Sequence, residues 1–151
     1  MAIERVVVTQ TGNDTFTTGS IDTGLSADGK AAWKINSIKA FASNLYTAAA
    51  ADQTLSAILS SQATVTVPFD PEELGRVNWA VANTAGVAVA YPVEQEKMVL
   101  VPEDRLTVQP TLYAQVSSVG TGIANVVYFE ISYDVVKLSD IEVLRLLIGG
   151  A

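Results

Sequence analysis

The sequence predicts an all-β chain folded as a two-sheet antiparallel sandwich. Three observations carry this. Apolar and polar residues alternate with a period of two over long runs, turn residues separate those runs at regular intervals, and only two short segments have the end signals of a helix. A length of 151 residues predicts one domain over 1–151, large enough to build a core without disulfides.

Residues 6–11, 15–21 and 33–41 read as the first strands, with Asp28-Gly29 as a hairpin turn between the last two. In the third run the apolar phase slips between Ile35 and Ile38, which predicts a β-bulge. Residues 45–62 leave two readings open. The Ala run permits helix, whereas 54–61 has the make-up of a short strand, and strand is preferred.

Farther on, Val65, Val67 and Phe69 alternate with Thr64, Thr66 and Pro68, and Val77, Trp79 and Val81 alternate with Asn78 and Ala80. Asp70-Pro-Glu-Glu-Leu-Gly75 has a helix cap, an early Pro, acids in the first turn and a closing Gly, so one helical turn is expected there. Asn83 to Gly86 is a turn into 87–92, and 98–101 is a short apolar run.

Leu106, Val108, Pro110, Leu112, Ala114 and Val116 then form one face of a long run. Pro110 cannot donate to a ladder, so it marks an edge, a bulge or a bend. The turn at 117–122 leads into 126–136, where Val127, Phe129, Ile131, Tyr133 and Val135 face one way; the two runs read as an antiparallel pair. Ser139-Asp-Ile-Glu142 is a capping box, Leu138 and Val143 are placed as a staple and Gly149 as a stop, which predicts a short C-terminal helix at about 140–147. Eight or nine strands with regular turns favour a jelly roll, with an immunoglobulin-like sandwich second.

Charge narrows the function classes. The net charge is −7, and the nine basic residues are spread singly, so no cationic patch is expected for nucleic acid or an anionic membrane. No run approaches the ~18 apolar residues of a membrane-spanning helix. The first residues, Met1-Ala-Ile-Glu-Arg-Val-Val-Val, carry an acid and no long apolar stretch; no signal peptide and cytoplasmic synthesis are expected. Only 17% of residues are charged, against about 25% for an average soluble domain. Residues 77–93 and 106–129 hold no charge at all, and 40–69 hold only Asp52. Strands so poor in charge are expected to be covered by other subunits. The competing reading is a monomer coated with Thr, Ser, Gln and Asn.

The chain has no His and no Cys, which removes the usual general base, the usual nucleophile pairs and zinc sites built from those residues. Acids occur as near pairs: Glu72 and Glu73, Glu94 and Glu96, Glu103 and Asp104, Asp140 and Glu142. The first and last pairs suit helix ends, and the Glu103/Asp104 pair sits in a turn without the oxygen spacing of a Ca²⁺ loop. Residues 24–31 match phosphate-loop spacing through Lys30, but Ala31 stands where a Mg²⁺-holding hydroxyl is needed and a strand follows instead of a helix. Asn13-Asp14-Thr15 is a chance sequon, and Trp33 and Trp79 are in phase with core positions. No enzyme activity, catalytic residue, cofactor, metal or small-molecule substrate is expected.

Val101-Pro-Glu-Asp-Arg-Leu-Thr-Val-Gln109, the long strand, the Gly turn and the run 126–136 resemble the last strands of small viral single jelly-roll capsid proteins. The resemblance covers roughly the second half of the chain and rests on layout and composition. It implies a virion structural protein, capsid or capsid-associated, that self-assembles into a symmetric shell. Made in the host cytoplasm, it would end in the virion, with itself and other virion proteins as partners. The chain departs from many such proteins in having no basic N-terminal arm. The subunit interface is expected on the terminal helix at Ile141, Leu144, Leu147 and Ile148, and on the charge-free strands. Two rivals remain. A monomeric carbohydrate- or surface-binding β-sandwich module would present an aromatic platform such as Tyr46, Tyr91 or Tyr113. An enzyme using carboxylates alone would need two buried acids converging in a cleft.

Overall fold

The computed structural model describes residues 1–26, 30–43, 52–64, 68, 70–81, 83–84, 87–88, 95–102 and 105–148, without the side chains of 81, 83, 84, 87, 88, 141, 143, 146 and 147. In chain order the elements are β1 (Ala2–Thr9), β2 (Thr17–Asp22), β3 (Ala31–Ala42), β4 (Gln53–Ser60), β5 (Glu73–Val81), β6 (Asn83–Thr84), β7 (Val87–Ala88), β8 (Glu96–Leu100), β9 (Leu106–Thr107), β10 (Thr111–Val119), β11 (Val126–Lys137) and α1 (Asp140–Ile148).

Two antiparallel sheets face each other. Sheet A has the order β1-β11-β3-β8, with β9 also on β3, and sheet B has the order β2-β10-β4-β5. Four antiparallel pairs are nested: β4 with β5, β3 with β8, β2 with β10, and β1 with β11. The chain is thus one long hairpin with its tip between β4 and β5. Rolling it brings β11 onto β3 and β10 onto β4. That nesting is the jelly roll.

Alternation fills the space between the sheets. Leu112, Ala114 and Val116 of β10, Leu55, Ala57 and Leu59 of β4, and Val77 and Trp79 of β5 meet Trp33, Ile35, Ile38 and Ala40 of β3 and Val127, Phe129 and Ile131 of β11 in one buried cluster. Each large side chain buried there stabilises the fold by about 1.5–3 kcal/mol. The bulge lies where the phase slips. Ser132 pairs with Ser37 and Tyr133 with Ile35, which leaves Asn36 as the extra residue. Its amide donates to Asp134 Oδ2 (2.8 Å) and its carbonyl accepts from Val101 N (2.9 Å), so the extra residue is held from both sides. The bulge lets Trp33 and Ile35 on one side, and Ile38, Ala40 and Ala42 on the other, all point inward. Residues 54–60 are strand, within β4.

Two expectations are corrected. Residues 70–75 form no helical turn. Glu73 N donates to Asp70 O (3.1 Å) to close a β-turn, and β5 starts at Glu73. A single helical turn repays few hydrogen bonds for its nucleation. The ladder to β4 and the burial of Leu74 at 3% exposure outweigh the local cap signals. The runs around 106–117 and 126–136 are also not a pair. β10 lies between β2 and β4, and β11 lies between β1 and β3. Alternation shows which face of a strand is buried but not which strand lies beside it.

Pro110 marks a change of sheet. β9 before it pairs with β3 in sheet A, whereas β10 after it belongs to sheet B. At this corner Thr23 N donates to Pro110 O (3.0 Å) and Thr23 Oγ1 to Gln109 O (2.7 Å). The expected turn at Asp28-Gly29, the alternation at 65–69 apart from Pro68, and most of 87–92 lie outside the described residues.

Candidate assembly surfaces

The expected interface helix is built by its capping box. Ser139 Oγ accepts from Glu142 N (3.3 Å), and the Glu142 carboxylate accepts from Ser139 N (2.8 Å) and Ser139 Oγ (2.9 Å). These bonds from the backbone and then the side chain of Ser139 hold the Glu142 carboxyl below its ordinary pKa. Asp140 and Glu142 in the first turn and Arg145 in the last suit the helix dipole. At its start the helix is tied to the sandwich by Leu138 N donating to Lys30 O (2.7 Å) and by the Lys30–Asp140 ion pair (3.3 Å).

Leu138 is buried with Ala32 and Val108 in a small second cluster. Beyond it, among the described residues, no strand lies along α1. Leu144 is 58% and Ile148 is 79% exposed, four residues apart on one helix face. The side chains of Ile141 and Leu147 lie outside the described residues.

The outer face of sheet B collects the charge-poor strands. Thr18, Ser20, Thr54, Asn78 and Ala80 are exposed on it, and Ser56 Oγ donates to Asn78 Oδ1 (2.7 Å). Part of this face is covered by the chain itself. Gln115 Nε2 donates to the carbonyls of Gln62 (2.7 Å) and Thr64 (2.8 Å), and Ile58 beside it is buried although its position in β4 turns it away from the core.

Sheet A presents a different outer face. Register sets Val7, Tyr128 and Phe41 in one row, Arg5, Glu130, Lys39 and Met98 in the next, and Ile3, Ser132, Ser37 and Leu100 in a third. Tyr128 and Phe41 are exposed rings with centroids 6.0 Å apart, and Leu100 is 73% exposed. Arg5 pairs with Glu130 (2.9 Å) and Lys39 with Glu96 (3.2 Å). Alternation within one strand marks its buried set, and this outward surface emerges only when four strands lie side by side. Tyr128 was visible as the one aromatic residue in the outward phase of β11.

The candidate catalytic acids do not converge among the described residues. Glu73 is held by Arg76 through two bonds of 3.2 Å, Glu96 faces Lys39, and Asp140 and Glu142 stand at the helix start. Glu94, Glu103 and Asp104 lie outside the described residues, as do Tyr46 and Tyr91. Among the described residues no group of three or more acids gathers to hold a metal ion. Trp33 and Trp79 are both core residues, and Trp33 stacks on Tyr133 at 3.6 Å.

The fold has solved counterparts. A KI polyomavirus VP1, solved as an unassembled pentamer, superposes with a TM-score of 0.54 at 9% identity, over 91% of this chain and 95% of that one. The VP1 of trichodysplasia spinulosa-associated polyomavirus, solved in complex with GM1 oligosaccharide, gives 0.54 at 9% identity, over 90% and 95%. Both are viral proteins with this two-sheet architecture. At that identity the likeness establishes the shared fold. No family description and no curated protein matches the chain.

Proposed function

We propose that the chain is a virion structural subunit, a capsid or capsid-associated protein whose residues 1–151 form one sandwich domain that self-assembles into a symmetric shell. The carrying observation is the nested jelly-roll pairing, shared over nine-tenths of the chain with a viral protein solved as a pentamer. The exposed Leu144 and Ile148 support it, since a helix that lies along no described strand offers apolar surface to another molecule. Ile141, Leu144, Leu147 and Ile148 are the proposed contacts, joined by the uncharged strands of sheet B. The partners are further copies and other virion proteins. Direct nucleic-acid binding and catalysis have no part in this reading.

Electron microscopy and light scattering on the purified protein test it. Particles or closed rings are expected, and Leu144→Asp with Leu147→Asp is expected to abolish them while the far-ultraviolet spectrum keeps its β signature. A strict monomer at high concentration overturns the proposal. One observation favours a second reading as a glycan-binding module: Phe41 and Tyr128 form an exposed aromatic pair. Saturable glycan binding by a monomer, lost in Tyr128→Ala, would decide for it.

A further inference from the structure

The outer face of sheet A carries a pattern that a second copy of the same face completes. In one row across the order β1-β11-β3-β8 come Arg5, Glu130, Lys39 and Met98, so the two central strands carry a negative and a positive charge side by side. A two-fold axis along the strands, midway between β11 and β3, reverses that order in the second copy. Glu130 then lies over Lys39 of the other copy and Lys39 over Glu130, while at the edges Arg5 lies over Met98 and Val7 over Glu96. A face with like charges on both central strands would repel its own copy in the same arrangement.

The rotation also keeps the rows level. Tyr128 meets Phe41, Ser132 meets Ser37 and Ile3 meets Leu100, because those residues share rows in the sheet register. In these three pairs a ring faces a ring, a hydroxyl a hydroxyl and an aliphatic group an aliphatic group. This is the self-complementarity an isologous interface requires. A depression of about 250 Å³ beside Tyr128, between the Arg5–Glu130 and Lys39–Glu96 pairs, leaves room for the opposing ring.

We infer that two copies of this chain pair through the outer faces of sheet A about a two-fold axis parallel to the strands. Four strands about 4.8 Å apart, over rows spanning roughly 20 Å, bury on the order of 800 Å² in total, at the low end for specific interfaces. The pair is therefore weak and concentration-dependent. It leaves α1 and sheet B free, and does not rest on the shell reading.

Sedimentation velocity over a concentration series tests it, both in the wild type and in a Leu144→Asp/Ile148→Asp background in which α1 contacts are removed. Lys39→Glu and Glu130→Lys should each weaken the pair at least about tenfold by setting like charges face to face. The double swap keeps every facing pair opposite in sign and should restore association to within about threefold of wild type. Circular dichroism confirms that each variant is folded. A wild type that stays monomeric up to millimolar concentration, single variants that associate normally, or a double swap that fails to recover would each overturn the inference. Loss of particles in the α1 background with the pair intact separates this interface from the proposed shell contacts.

Discussion

The Asp14 carboxylate, in the loop after β1, clasps Thr121 in the loop before β11. Asp14 Oδ1 accepts from Thr121 N (2.9 Å) and Thr121 Oγ1 (2.6 Å), and Oδ2 accepts from Gly122 N (2.9 Å), across 107 residues of chain. Ser118 Oγ adds a bond of 3.0 Å. Behind the clasp, Gln10, Ser118, Thr121 and Asn125 form a buried polar network in which Asn125 N donates to Gln10 Oε1 (2.8 Å). Asp14 takes a left-handed conformation (φ 52°), one of the few that a non-glycine residue adopts readily when it is Asp or Asn.

Asp14→Asn keeps that backbone preference but loses the anion, and its amide nitrogen cannot accept from Gly122. A loss of about 1–3 kcal/mol in urea unfolding at neutral pH is expected, with Asp14→Ala costing more because it also strains the backbone. Equal stability of Asp14→Asn and wild type would show that the clasp contributes nothing.

The same group sets a pH dependence. Partial burial pushes its pKa up, but the bonds from the Thr121 hydroxyl, the backbone of Gly122 and Thr121, and Ser118 outweigh it and hold the carboxyl below its ordinary 3.8. A folded pKa below the unfolded one means the unfolded chain binds the proton more readily in this range. The stabilisation is therefore complete above the unfolded value and fades as pH falls through the folded one. Wild type should lose stability faster than Asp14→Asn on acidification below about pH 4, and the two unfolding curves should converge. Parallel curves would refute the assignment.

Gly120, next to the clasp, has φ 75°, and a Cβ there would collide with the Asp52 carbonyl oxygen. Backbone cannot yield as a side-chain tip can. Gly120→Ala is expected to cost more than about 2 kcal/mol. At Gly75 the added Cβ would collide with the Ile38 side-chain tip and touch Val101, side chains rather than backbone, so Gly75→Ala should cost about 1–3 kcal/mol. Thermal denaturation that ranks Gly75→Ala as the worse of the two would contradict this.

How much of this was legible in the sequence follows from which effects are local. The bulge in β3 was legible because burial on both sides of it forces Trp33 and Ile35 into one phase and Ile38 and Ala40 into the other. The capping box was legible because Ser139 and Glu142 are three residues apart. The pairing of β10 was not, since its partners Thr17–Asp22 and Gln53–Ser60 are chosen by how the hairpin rolls up. Nor was the turn at Asp70, where caps that favour helix yield to the ladder with β4 and the burial of Leu74. The outer face of sheet A needs register across its four strands before Arg5, Glu130, Lys39 and Met98 can be seen in one line.

Asn36 gives that reasoning a direct test. Deleting it removes the extra residue opposite Ser132 and Tyr133, so one half of β3 must turn its core residues outward. Exposing Trp33 and Ile35 forfeits about 1.5–3 kcal/mol for each, which is a large share of a domain's stability. The deletion should yield insoluble or unfolded protein. Asn36→Ala, which keeps the register and loses only the bond to Asp134, should remain folded with a small drop in Tm. A soluble, cooperatively folding deletion variant would mean that the bulge is not what sets the phase.

The capping box makes α1 sensitive to acid in its own way. Glu142 holds its cap as the anion, with its carboxyl below the ordinary 4.5 because Ser139 donates to it from the backbone and the side chain. The depressed folded value places its stabilising effect above the unfolded pKa. That effect is lost as pH falls through the folded one. Protonation frees Ser139 N and weakens the first turn, and the apolar face bearing Leu144 then loses its scaffold. Amide protection in α1, taken relative to the intrinsic exchange rate at each pH, should therefore fall on acidification through the carboxylate range while the core strands stay protected. Glu142→Gln, whose amide oxygen still accepts from Ser139 N, should blunt the pH response without abolishing the helix. If α1 and β11 lose protection together, the helix opens with the sandwich and the cap does not control it.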